Sequence, residues 1–214
     1  MGDSSYISEK EIMKIQYVME QCESKMQINA ILLDSCELAD RIKSFLTEFA
    51  SITDKVSISI FSKNDNPKLE AEIAVELEPV IALMDSCGKY TGVSFNGAPS
   101  GNELESFLFA IYNVAGPGEQ LDDDLLGKIK NLKPMNLKIG VSPSCVMCPE
   151  LVQGCQQIAV INENITAGMV DLHHFSDIRK KFKIMSTPAL IINNSDVVFG
   201  QKNLEELMDL LEKY

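Results

Sequence analysis

The 214 residues are enough for two small domains, and a hydrophobic content of 45% excludes a globally disordered chain. A formal charge of −12 repels phosphate backbones and anionic lipid, which sets aside nucleic acid and membranes as partners. The opening Met-Gly-Asp-Ser-Ser-Tyr lacks the basic-then-apolar pattern of a secretory signal, Tyr6 stands where a myristoylation signal wants Ser or Thr, and no apolar run approaches the ~20 residues that span a bilayer, so the expectation is a cytoplasmic protein.

In chain order, Ser8 and Glu11 form a capping-box pattern ahead of a helix carrying Ile12, Ile15, Val18, Met19 and Cys22. Ile28 to Leu33 is a short buried strand. Asp34 and Ser35 are cap candidates for the next helix, whose apolar face is Leu38, Ile42, Phe45, Leu46 and Phe49. Strands follow at Val56 to Phe61, Pro79 to Met84 and Val93 to Phe95; Ser100 then caps a helix with Leu104, Phe107, Leu108 and Ile111 inward. Ala115-Gly116-Pro117-Gly118 punctuates the chain. Asp122, Asp123 and Asp124 open a helix at its positive end, and Pro134 stops it. They read as a charged helix start and not as a metal cluster. The second half runs through a strand at Leu137 to Val141, a helix from about Val146, a strand at Ile165 to Val170, and a short helix at Ser176 to Lys181. It closes with a hairpin, Ala189 to Ile192 and Val197 to Phe199, and a last helix bearing Leu204, Leu207, Met208 and Leu211.

The halves repeat. Cys36 and Cys145 lie 109 residues apart, and so do Pro79 and Pro188, each proline opening an apolar strand. The order of elements is that of a thioredoxin fold. The expected architecture is therefore α/β, with two fused thioredoxin-like folds sharing a continuous mixed sheet. Residues 1–113 form a degenerate unit with an N-terminal helix, 114–135 a linker and connecting helix, and 136–214 the redox-active unit. Ala39 stands in the first unit where a second thiol is expected.

Of six cysteines, only Cys145 and Cys148 have a spacing that implies chemistry. Disulfide exchange needs an attacking thiolate and a second thiol close enough to release the mixed disulfide. At a helix start the dipole and free N–H groups favour the anion, lowering the first thiol below its usual ~8.5. Cys145 is thus the expected nucleophile and Cys148 the resolving thiol. Half of a zinc site is the competing reading, but there is no second pair, and His173 and His174 are adjacent and cannot share metal-ligand spacing. Thr187-Pro188 is expected to be a cis bond presenting a backbone edge beside the pair, against the plainer reading of a trans proline opening a strand. Cys155 reads as core and Cys36 as a relic of the repeat.

Three stretches carry a family resemblance: Ser144-Cys145-Val146-Met147-Cys148-Pro149-Glu150, Thr187-Pro188-Ala189, and Gly92 through Glu103. With them, from about residue 10 onward, the chain resembles the N-terminal domain of the flavoprotein subunit of alkyl hydroperoxide reductase, and more loosely the tandem-thioredoxin protein disulfide oxidoreductases. The resemblance implies a relay in which the cysteine pair takes electrons from a flavoprotein module and passes them to a peroxiredoxin. The family's full-length flavoprotein continues into an FAD- and pyridine-nucleotide-binding region. This sequence has no glycine-rich dinucleotide fingerprint, so no cofactor is expected on the chain: either FAD and NAD(P)H enter through a separate thioredoxin-reductase-like flavoprotein, or the chain is a fragment of a larger flavoprotein. The terminal helix reads as complete, which makes a stand-alone carrier the expectation. The resemblance places an acid at Glu103 near the cysteines, where it could relay the nucleophile's proton; the Ser100–Glu103 spacing alone favours a capping-box glutamate. Two rival functions stay open on the sequence: a disulfide isomerase or oxidase using the same pair, and a non-enzymatic adaptor.

Overall fold

The computed structural model describes residues 6–34 and 36–214. Eight strands form one mixed sheet in the order β2-β1-β3-β4-β6-β5-β7-β8. The first half is α1 (Glu9–Gln21), β1 (Met26–Leu32), α2 (Glu37–Ile52), β2 (Val56–Ser62), α3 (Pro67–Glu72), β3 (Val80–Met84), β4 (Tyr90–Asn96) and α4 (Glu103–Ala115). After α5 (Asp123–Asn131) come β5 (Met135–Val141), α6 (Cys148–Ile161), β6 (Ile165–Asp171), α7 (Ser176–Lys181), β7 (Ala189–Ile192), β8 (Asp196–Phe199) and α8 (Leu204–Leu211). The repeat is borne out in the element starts: Met26 and Met135, Val56 and Ile165, Pro67 and Ser176, Val80 and Ala189 are each separated by 109 residues. These are two thioredoxin-like folds, the first degenerate.

The halves meet where β4 runs parallel to β6, with Val93 opposite Ala167 and Asn96 opposite Val170. Parallel pairing here lets each unit cover the other's open edge. Gly92 makes the approach possible. Its φ is +81°, and a Cβ there would lie 2.5 Å from the Ile165 carbonyl oxygen, an overlap no side chain could relieve.

Period-2 burial divides the core into layers. Met26, Ile28, Ala30 and Leu32 of β1 and Leu137, Ile139 and Val141 of β5 enter one large cluster with α1, α2, α4, α6 and α8. Ile31 faces the opposite side, packing with Leu69 and Ile73 around α3. Val170, Ala189 and Ile191 do the same around α7. In the large cluster Phe107 is fully buried, its ring centre 5.7 Å from that of Phe45 and 5.4 Å from those of Phe49 and Phe95, with edge-to-face geometry throughout.

Several local expectations need correction. β1 starts two residues early, at Met26. Among the described residues Asp34 caps no helix: it accepts from Ser62 Oγ at 3.4 Å, and Cys36 holds the N-cap position of α2 without a side-chain bond. Ser35, the other cap candidate, lies outside the described residues. The helix α3 was not foreseen, although Asn66 caps it and Pro67 opens it, a standard helix-start pairing. Asp122 does cap α5, accepting from the Leu125 N–H at 2.8 Å.

One buried charge crosses between the halves. Lys138, on the α3/α7 side of β5, is 7% exposed and donates to Glu76 Oε2 at 2.7 Å and to Asn194 Oδ1. Burial pushes the Glu76 carboxyl up, but the hydrogen bond and charge of Lys138 outweigh it and hold the group below its ordinary value.

Candidate functional site

The sequence predicts a helix opening near Val146. α6 opens instead at Cys148, with Met147 as N-cap and Pro149 in the first turn. Cys145 therefore lies in the turn ahead of the helix, where its N–H donates to the Ser142 carbonyl at 3.0 Å. The two sulfurs are joined, S–S 2.07 Å with Cα atoms 5.5 Å apart. Their surroundings differ. Cys148 is fully buried, while Cys145 is half-buried and flanked by Val146 and Met147, 79% and 52% exposed. Only the Cys145 side of the disulfide is open to a partner's sulfur.

The Thr187–Pro188 bond is cis, as is its counterpart Glu78–Pro79; a third cis bond, Gly116–Pro117, had no forewarning. Thr187 Oγ1 and Ser142 Oγ lie 3.2 Å apart, within hydrogen-bonding distance, so the segment before Pro188 packs on the turn that carries Cys145. Met185 projects from that segment, 84% exposed.

The first unit reaches the same turn. Asn102 Nδ2 donates to the carbonyls of Pro143 and Cys145, each at 3.3 Å. Beside it, Glu103 is not the capping-box glutamate its spacing suggested. Gly101, at φ +62°, turns the chain so that the helix starts after Asn102, and Glu103 becomes the first helical residue, not the third. The side chain is buried. Oε2 accepts from Ser106 Oγ at 2.8 Å, and Oε1 is buried with no hydrogen-bond partner among the described residues. Burial pushes this carboxyl up to about 7; the Ser106 bond opposes the rise and the Asp171 charge adds to it. Glu103 borders a cavity of about 220 Å³ between the units, together with Arg41, Ser142, Asp171, His173 and His174.

The other thiols are poor redox candidates. Cys155 is fully buried and Cys22 nearly so, and burial raises both. Cys36 is half-buried, with buried Ala39 where a partner would be. Sequence reasoning missed Asn102 and Ser142. Asn102 sits inside the Gly92–Glu103 stretch, next to the acid already singled out, but its reach to the second unit needed the fold.

A thioredoxin-domain family model matches residues 135–212. The chain superimposes on the N-terminal domain of the alkyl hydroperoxide reductase AhpF from Enterococcus faecalis with a TM-score of 0.92 and 35% identity, covering 96% of this chain and 99% of that one. The chain belongs to this family. A second Enterococcus faecalis structure, a C503A mutant of AhpF, gives a TM-score of 0.93 at 34% identity, over 96% of this chain and 99% of that one. A protein disulfide oxidoreductase from Aeropyrum pernix shares the fold, TM-score 0.86 over 96% of this chain and 92% of that chain, at 21% identity. AhpF of Staphylococcus aureus is 27% identical over 92% of this chain, which spans 36% of that relative's length. As a domain of the AhpF family whose second thioredoxin fold carries the Cys145–Cys148 disulfide, with only Cys145 open to solvent, the protein is a thiol–disulfide oxidoreductase.

The raised Glu103 has a stability consequence. Its folded value, about 7, lies above the ordinary 4.5, so the protonated side chain favours the folded state. That contribution is fully present below about pH 4.5 and is lost as pH rises through about 7. Glu103→Gln removes the buried charge. It is expected to be more stable than the parent at pH 8 by about 2–3 kcal/mol, the gap closing below pH ~4.5. Urea unfolding across this range checks it; a constant difference would mean Glu103 is not held neutral.

Proposed function

We propose that this domain relays two electrons through Cys145 and Cys148 from a thioredoxin-reductase-like flavoprotein to a peroxiredoxin-type disulfide, in a reducing cytoplasm. The observation that carries the reading is the asymmetry of the pair, one sulfur at the surface and one fully buried. In the reduced protein the Cys145 thiolate attacks a sulfur of the acceptor disulfide and expels the other as a thiolate. Cys148 then attacks Cys145 Sγ, releasing the acceptor's second thiol and closing the Cys145–Cys148 disulfide. The donor's dithiol reverses these bond changes and restores the pair. The Thr187–Pro188 segment presents the edge against which the acceptor lies. Glu103, held beside the cysteine turn through Asn102, exchanges the proton that Cys145 loses and regains. We keep the division into a degenerate unit (1–113), a connector (114–135) and a redox unit (136–214) as part of this proposal.

The sequence lacks a dinucleotide fingerprint, so hydride chemistry is assigned to the donor. Alone, the protein should oxidise neither NADH nor NADPH. With a low-molecular-weight thioredoxin-reductase-like flavoprotein and a peroxiredoxin added, peroxide-dependent NAD(P)H oxidation is expected. Undiminished flux with Cys145→Ser in place of the parent would overturn the relay. A reductant of this kind should have a potential near about −270 mV; a value near about −180 mV would instead favour a disulfide isomerase.

A further inference from the structure

The geometry points to the free edge of β2 as the surface on which a second copy of this chain docks, the two β2 strands pairing antiparallel about Ile58. The sheets of the two copies then run on as one.

β2 stands at one end of the strand order and pairs with β1 alone. The Met26 N–H donates to the Lys55 carbonyl at 3.0 Å, and Met26 lies opposite Val56. In a parallel ladder this turns the backbone groups of Lys55, Ser57, Ser59 and Phe61 toward β1, and those of Val56, Ile58, Ile60 and Ser62 away from it. Ser62 is engaged by its own turn: its N–H donates to Asp65 Oδ2 at 2.9 Å, and its carbonyl accepts from the Asp65 N–H at 3.1 Å. The outward N–H and C=O groups of Val56, Ile58 and Ile60 have no partner among the described residues. Sheet edges are commonly guarded by charge, proline or a bulge. Val56 to Ser62 has none of these: it is uncharged, and its register with β1 is unbroken. The opposite edge, β8, is four residues long and opens with Asp196.

Register identifies the occupant. In an antiparallel ladder, residues that exchange both hydrogen bonds sit directly opposite each other. With Ile58 opposite Ile58 of the second copy, Val56 faces Ile60 and Ile60 faces Val56, so every free group on both edges finds a partner. Sliding the strands so that Ile58 faces Ile60 would call on Ser62, already engaged, and would set Lys55 against Lys63. Sliding them the other way leaves Ile60 facing Asp54, outside the strand. The side chains agree with the central register. Val56 belongs to the large apolar cluster and Ile58 packs against it, so alternation puts Ile60 on the same face. Ile60 is 37% exposed. Pairing covers it with Val56 of the second copy and carries the apolar cluster across the two-fold axis. On the other face Ser57 meets Ser59 and Lys55 meets Phe61, with no like charges opposed. A strand that best matches its own reverse makes an isologous contact, which closes at two copies.

Sedimentation equilibrium of the whole chain tests this, with thiols kept reduced so that the exposed Cys87 cannot crosslink copies. One strand pair is a small interface, so the mass should stay at 23.7 kDa at about 1 µM and rise about 1.7-fold at about 500 µM. Ile60→Lys changes an exposed position and puts a charge into the pairing; it should weaken association by at least about tenfold. Phe199→Lys, on the β8 edge, should leave association unchanged. Amide exchange reads the register: between the same two concentrations the Ile58 and Ile60 N–H groups should slow about threefold, in step with the paired fraction. Association that survives Ile60→Lys, growth beyond two copies, or protection of neither amide overturns the proposal. A chain that stays monomeric throughout would leave the edge to an extended segment of a different protein, and would overturn the second copy as its occupant.

Discussion

Cys145→Ser is expected to lower turnover of insulin or a small disulfide by at least about a hundredfold, to the rate seen without protein, because no other thiol among the described residues combines an open sulfur with a partner within bonding reach. Cys148→Ser should stop turnover to the same extent for a different reason. Its Cys145 can still attack, but nothing is left to release the mixed disulfide. Cys155→Ser should leave turnover unchanged within about twofold, since that thiol is sealed in the core and burial keeps it protonated. A Cys145→Ser protein that keeps more than a tenth of the parent rate would place the chemistry elsewhere.

Phe107→Ala carries the largest expected loss of stability. The ring belongs to α4 and meets Phe45 and Phe49 of α2 and Phe95 of β4, so its removal leaves a void where two helices close on the central sheet. Such deletions cost about 3–5 kcal/mol, the lost transfer energy plus the cavity. Tyr17→Ala, at a position 66% exposed, is the control and should stay within about 0.5 kcal/mol. Denaturant unfolding of both variants measures the difference. A Phe107→Ala cost below about 1 kcal/mol would mean that the cluster collapses around the gap or was never rigid.

What the sequence made legible was whatever depends on period and spacing. The strand and helix sequence of each half follows from apolar periodicity, and the 109-residue offset follows from two cysteines and two prolines. The continuous sheet followed from the need of each half to cover an edge. The cysteine pair was legible because its spacing is tied to its chemistry. Less visible was anything set by a single backbone angle or a distant partner. Ser100 and Glu103 have the spacing of a capping box, yet Gly101 at φ +62° shifts the start of α4 and leaves Glu103 a buried acid. Lys138 is a charge in mid-strand, which by alternation belongs to an exposed face; only its pairing with Glu76, 62 residues away, allows it to be buried.

The most direct measurement is the location of the trapped partner on Cys148→Ser. The reduced variant is mixed with a disulfide substrate, the remaining thiols are blocked, and the adduct is mapped by peptide mass spectrometry. The account predicts a single mixed disulfide at Cys145, absent from the Cys145→Ser/Cys148→Ser double variant. An adduct that forms first at Cys36 or Cys87, or no stable adduct while turnover continues, would contradict it.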